Sequence, residues 1–172
     1  DGGTQNWQLS TYAPGAAATW RIDTNSSISG RNSSAVTVTQ TTGTNWHIQL
    51  WQPLTIYSGH KYRFAFKAKA SSAKVIDLVL QQAASPFFVY LDKPHALTTA
   101  VQTFIDSVSI NTPDQAKLEF FLGTSGTVQL WIDSVSIIES SSVASGVVEH
   151  VSAKPEAFAL LQNYPNPFNP TT

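Results

Sequence analysis

Hydrophobic and polar positions alternate with a period of two along most of this chain. Tyr62, Phe64, Phe66 and Ala68 are separated by Arg63, Ala65 and Lys67. Alternation of that kind puts one set of side chains on a buried face and the other on a solvated one. Val36 and Val38 interleave with Thr37 and Thr39, Leu118, Phe120 and Leu122 with Glu119 and Phe121, and Val128, Leu130 and Ile132 with Gln129 and Trp131. The pattern predicts strands near 7–11, 17–23, 34–40, 46–56, 60–69, 74–82, 87–91, 102–110, 116–122 and 127–138, and no amphipathic helix. Turn residues fill the breaks: Pro14-Gly15, Ser29-Gly30, Thr42-Gly43, Ser58-Gly59, Pro113-Asp114 and the stretch from Gly123 to Gly126. Many short strands at this spacing predict an all-β, antiparallel sandwich of jelly-roll type over residues 1–138.

The alternation stops after Ile138. Residues 139–156, opening with the Ser-rich run up to Ser145, are expected to be a linker. In residues 157–172, Pro165, Pro167 and Pro170 forbid helix and remove ladder donors, which predicts an extended segment that opens another domain. With neither an initiating Met nor a signal peptide, the chain is expected to start inside a longer or processed one.

Composition narrows the function classes. At 172 residues and 42% hydrophobic the chain can bury a core, yet only 12% is charged, against about 25% in ordinary soluble domains. Ser, Thr, Asn and Gln carry the remaining polarity. A formal net charge of −1 gives no overall footprint for nucleic acid or anionic membrane. The absence of Cys excludes disulfides, thiolate metal sites and a Cys nucleophile. No apolar run reaches the roughly 18 residues of a membrane helix.

Two segments resemble known families. The run Leu160-Leu161-Gln162-Asn163-Tyr164-Pro165-Asn166-Pro167-Phe168-Asn169-Pro170 is similar to the opening of the C-terminal sorting domain of the type IX secretion pathway. That resemblance implies a secreted or cell-surface bacterial protein. Residues 1–138 resemble the carbohydrate-binding modules of families 4, 9, 16 and 22. The stretches carrying the likeness run from Asp1 to Trp7, from Asn45 to Ala70, from Leu118 to Gly123 and from Val128 to Ile137.

The second resemblance implies a stacking role for Trp46 and a hydroxyl-binding role for Gln49. It implies a second aromatic at Phe87 or Phe88, with Tyr90 nearby. Phe121 stands where some members have a polar contact, which suggests a more apolar cleft. Trp51 shares strand parity with Gln49, and Gln81 is a further amide candidate. For each, packing at a sheet edge or ordinary solvation is the competing reading. Flat aromatic faces suit the C–H face of a pyranose and planar amides suit its hydroxyls, contributing about 1–2 and 0.5–1.5 kcal/mol per contact. The resemblance also implies a structural calcium ligand at Asp133, a carboxylate suited to a hard cation. The alternative is an Asp that caps a bulge or turn.

Catalysis has little to rest on. Hydrolysis of a glycosidic bond commonly takes two carboxylates across a cleft, and Asp77 with Glu119 is the one pair that parity could bring face to face. His47, His60, His95 and His150 show no metal-ligand spacing. The reading is therefore a monomeric, non-catalytic module that binds β-glucan, cellulose or xylan-like chains and targets an attached secreted glycoside hydrolase. A structural or adhesin-like sandwich without a sugar site is the alternative.

Overall fold

The structure, a computed structural model, describes residues 6–141. Ten strands form: β1 Gln8–Thr11, β2 Ala17–Asp23, β3 Ser33–Gln40, β4 Ile48–Ile56, β5 His60–Ala70, β6 Lys74–Gln82, β7 Val89–Leu97, β8 Gln102–Ile110, β9 Asp114–Phe121 and β10 Gln129–Ser141. They make two antiparallel five-stranded sheets, ordered β1-β4-β9-β6-β7 and β2-β3-β10-β5-β8. The expected all-β sandwich is what folds.

Alternation decides which face is buried. Tyr62, Phe64, Phe66 and Ala68 of β5 meet Leu50 of β4, Leu78 and Leu80 of β6, and Leu118 and Phe120 of β9 in one core. Phe66 packs edge-on against Phe120, ring centroids 5.0 Å apart. Each such side chain stabilises by about 1.5–3 kcal/mol when fully buried. Within the described strands, proline sits only where no ladder donor is needed. Pro94 lies on the edge strand β7, and Pro53 lies beyond the part of β4 that β1 pairs.

Three boundaries differ from expectation. Asn45, Trp46 and His47 form a single 3-10 turn, so β4 begins at Ile48. Strand β7 runs past Leu91 to Leu97, because Pro94 is tolerated at an edge. Strand β10 continues through Glu139 to Ser141, pairing with Tyr62, Lys61 and His60. The first three residues assigned to the linker thus belong to the sandwich. Glu139 is drawn in by the Tyr62 hydroxyl, 3.1 Å from its Oε1. The expected linker beyond Ser141 and the segment 157–172 lie outside the described residues.

One hexapeptide, Ile-Asp-Ser-Val-Ser-Ile, occurs twice: at 105–110 in β8 and at 132–137 in β10. The two copies flank β5 on opposite sides. In β8 the pairing with β5 is unbroken and Ile105 is 54% exposed. In β10 the register shifts between Asp133 and Ser136, with Ser134 at φ 52°, and Ile132 is buried. The first two residues therefore face opposite ways in the two copies.

Candidate functional site

The outward face of the first sheet carries the candidates. Residues opposite one another along its strands share a row: Ser10, Gln49, Phe121, Asp77 in one, and Gln8, Trp51, Glu119, Val79, Asp92 in the next. A cleft of about 730 Å3 crosses this face, within the range typical of ligand sites. Tyr12, Asn45, Trp46 and Gln49 line one side, and Gln81, Phe87, Val89 and Asp92 the other, with Lys117 and Phe121 between them. Its strand residues come from β4, β9, β6 and β7, three spacings of about 4.8 Å, so it reaches roughly 14 Å across the sheet, with Tyr12 just past the end of β1 on the near side.

The Trp46 side is built by a locked turn. Asn45 Oδ1 accepts the Trp46 backbone N–H at 2.8 Å, and Asn45 Nδ2 donates to Asp77 Oδ2 at 2.6 Å. From below, the N–H groups of Leu122 and Gly123 donate to the carbonyls of Ile48 and Asn45, each at 2.8 Å. Lys74 fastens the following loop, its ammonium donating to the carbonyls of Thr124 at 2.7 Å and Gly126 at 3.0 Å. Burial pulls the Lys74 ammonium down to about 8. The Trp46 ring meets His47 edge-on at 4.1 Å and remains 46% exposed.

The opposite side is an aromatic loop. Phe87 has φ +58°, a conformation that costs a bulky residue on the order of 1–3 kcal/mol. Two amides hold it there. Gln81 Nε2 donates to the Phe87 carbonyl at 2.9 Å, and the Gln82 N–H donates to the Phe88 carbonyl at 2.8 Å. The result is a half-exposed Phe87 ring facing solvent at the cleft.

Between the walls the floor is apolar with a few fixed polar atoms. Gln49 is 6% exposed; its Nε2 donates to the Trp46 carbonyl at 3.0 Å, and its Oε1 is buried with no partner. Lys117 Nζ sits 5.2 Å over the Trp51 ring and 3.2 Å from Glu119 Oε1. That approach lacks hydrogen-bond geometry, so both Glu119 carboxyl oxygens are left without a hydrogen bond inside a fully buried side chain. Burial pushes the Glu119 carboxyl up against the pull of Lys117. Partial burial and the nearby Asp77 charge likewise raise Asp92.

Of the residues singled out in the sequence, Trp46, Gln49, Gln81, Phe87 and Phe121 come together here. Trp51, Phe88 and Tyr90 do not line the cleft. Trp51 donates from Nε1 to Ser10 Oγ at 3.1 Å and lies under Lys117. The Tyr90 hydroxyl donates to Asp114 Oδ2 at 2.5 Å, which raises it to about 12, and its ring packs against the core and Phe88. Tyr12, Asn45, Asp92 and Lys117 were missed. Asn45 next to Trp46 was the one legible signal, since Asn before an exposed turn residue is a common local cap. The Asp77 and Glu119 pair does not make a hydrolytic site, because Asp77 is held by Asn45 and Glu119 has no access to solvent.

Asp133 does not fit a calcium ligand among the described residues. Its Oδ2 accepts from the Ser29 N–H at 3.0 Å and the Ser33 hydroxyl at 2.6 Å, and its Oδ1 from the Ser134 N–H at 2.5 Å. These are hydrogen donors, whereas calcium wants six to eight oxygens. No group of three His, Asp or Glu side chains able to hold a metal occurs among the described residues. The oxygens instead close the β10 bulge onto the loop before β3. We expect excess chelator to leave the melting temperature unchanged, while Asp133→Ala lowers stability by about 1–3 kcal/mol by stranding three donors. A chelator-induced drop in the melt would restore the metal.

Several solved structures share this fold. A structure described as "CBM4 structure and function" superposes with a TM-score of 0.69 at 22% identity, covering 78% of this chain and 86% of its own. The N-terminal cellulose-binding domain of Cellulomonas fimi β-1,4-glucanase C gives 0.59 at 19% identity, covering 82% and 93%. The CBM22-1 xylan-binding domain of Paenibacillus barcinonensis Xyn10C gives 0.59 at 12%, covering 83% and 90%. At these identities the likeness is one of fold. No curated protein matches the chain. The family described as "Carbohydrate binding domain" (CBM 4/9) matches residues 1–127. The chain belongs to that carbohydrate binding domain family.

Proposed function

We propose that the cleft binds a neutral plant-type polysaccharide, a β-glucan, cellulose or xylan-like chain, without cleaving it. The observation that carries this reading is Gln49. Its buried amide oxygen lacks a donor, in a cleft lined also by the half-exposed rings of Trp46, Phe87 and Tyr12. A buried acceptor without a partner costs about 1–3 kcal/mol, and the amide recovers that cost by turning its oxygen up to a sugar hydroxyl in the cleft. The exposed rings supply the flat apolar surface that the same sugar needs. The cellulose-binding and xylan-binding domains of similar fold support the substrate class.

By the same reading the domain directs an attached glycoside hydrolase to its substrate outside the cell. The sequence of residues 160–170 supports export by the type IX route. Affinity electrophoresis against mixed-linkage β-glucan, hydroxyethylcellulose and arabinoxylan tests the binding reading. Retardation by at least one, with a dissociation constant of roughly micromolar to millimolar and no reducing ends released, is the expected result. Free migration through all three would leave the structural-spacer reading standing.

A further inference from the structure

The net charge of −1 conceals an uneven distribution. On the outward face of the second sheet, opposite in parity to the buried Tyr62, Phe64, Phe66 and Ala68, strand β5 presents Lys61, Arg63, Ala65, Lys67 and Lys69. Four of these five are cations, on alternate positions about 6.7 Å apart. Arg21 of β2 lies on the same face. These five cations are half of the ten Lys and Arg residues in the chain.

None of the four on β5 makes an ion pair among the described residues. The two acids of this face are engaged elsewhere. Asp23 accepts from Trp131 Nε1 at 2.8 Å and from the N–H groups of Asn25 and Ser26, which hold it down near 2, and Arg21 pairs with it at 3.3 Å. Asp133 is filled by Ser29, Ser33 and Ser134. Lys69 lies over the Trp131 ring at 4.8 Å, and Lys67 reaches only the Ser29 hydroxyl. Against these five cations the face holds only the two carboxylates Asp23 and Asp133, the latter across from Lys67, which leaves it a formal charge of +3 (five minus two), while Asp77, Asp92 and Glu119 lie on the cleft face.

We infer that this second face is a separate binding surface for a uronate-bearing, carboxylate-rich polysaccharide. Charge complementarity supplies the attraction, and the shape of the patch selects the partner. The cations run along one strand, which suits one extended chain more than a two-dimensional lipid surface. Across β8 and β10, Lys61 is flanked by Ser109 and Ser140, Arg63 by Ser107 and Ile138, Lys67 by Thr103 and Asp133, and Lys69 by Trp131; the exposed serine hydroxyls around Lys61 and Arg63 suit sugar hydroxyls and carboxylates. The inference does not depend on the cleft: a neutral chain in the cleft and an acidic chain on this face can be held by the same domain.

The test is affinity electrophoresis through sodium polygalacturonate, with mobility normalised to gels lacking polysaccharide. The domain should be retarded at low ionic strength and released at 0.5 M salt, since exposed charges are screened beyond about 10 Å even at ~0.1 M. Lys61→Gln, Arg63→Gln, Lys67→Gln and Lys69→Gln together should weaken retardation tenfold or more, with neutral β-glucan binding unchanged. Should that variant fold poorly, Lys61→Gln with Arg63→Gln, both at exposed positions, should still weaken it about threefold. A control removing Lys93, an exposed cation on β7 of the other sheet, should retain it. Free migration of the wild type in polygalacturonate overturns the proposal, as does equal loss in the control or binding only to vesicles of anionic phospholipid.

Discussion

Trp46→Ala should weaken binding to the best neutral glucan or xylan tenfold or more while leaving the sandwich folded. The ring is 46% exposed, and its closest aromatic neighbour is His47, itself outside the core. Removing it opens no interior cavity. The stability cost should therefore stay well below the ~3–5 kcal/mol of emptying a core aromatic site. The turn survives because its bonds are backbone ones: the residue 46 N–H still reaches Asn45 Oδ1, and its carbonyl still accepts from Gln49. What disappears is the stacking surface, and about 1.4 kcal/mol lost is one decade of affinity. Calorimetric titration and a thermal melt on the same sample separate the two effects. Unchanged affinity for every neutral chain, or an unfolded variant, would remove Trp46 from the site.

A larger structural effect is expected at Gly123, which touches no ligand. A Cβ there would sit 2.3 Å from the Thr44 carbonyl oxygen, 2.8 Å from that of Asn45 and 3.2 Å from the Ile48 nitrogen. All three are backbone atoms of the turn that carries Trp46, so no side chain can swing aside. Gly123→Ala should cost at least the upper end of the ~1–3 kcal/mol seen for overpacked sites. Because the turn must lift to make room, it should also weaken sugar binding tenfold or more. Gly126→Ala is the contrast. It too lies in the β9–β10 loop, at φ +101°, but nothing lies within 4 Å of its added carbon. It should be strained and yet bind normally. Urea melts and titrations of the pair read this directly. Equal affinity in the two variants would show that the turn does not hold Trp46 in place.

The sandwich was legible because one face of each sheet is buried. In β5 the alternation of Tyr62, Phe64 and Phe66 with Arg63 and Lys67 can be satisfied by only one register. The cleft was legible only where a residue advertises itself. Trp46, Phe87 and Phe121 are large apolar groups at positions where parity or loop context leaves them facing outward. Asp92 and Lys117 are ordinary polar residues of solvated appearance. They enter the cleft only because β7 and β9 pair with β6 in the register that sets Glu119 beside Val79 and Val79 beside Asp92. Tyr12 is likewise brought in by chain pairing, its N–H donating to the His47 carbonyl at 2.9 Å. Such long-range neighbours leave no local pattern. Trp51 and Tyr90 failed as cleft residues for a related reason: each found a closer partner, Ser10 with Lys117 for one and Asp114 for the other.

The duplicated hexapeptide in β8 and β10 amounts to a substitution experiment carried inside one molecule. Six identical residues adopt a straight strand on one side of β5 and a bulged one on the other, so their own preferences cannot be what decides. The choice is made by neighbours. Beside β8, His95 Nε2 meets Asp106 Oδ2 at 2.8 Å and turns that carboxylate inward. Beside β10, Ser29 and Ser33 draw Asp133 outward, and the chain must then insert Ser134 to bring Val135 and Ile137 back to the interior. Two small polar clasps, a histidine on one side and a pair of serines on the other, thus give one sequence two backbones within a single sheet.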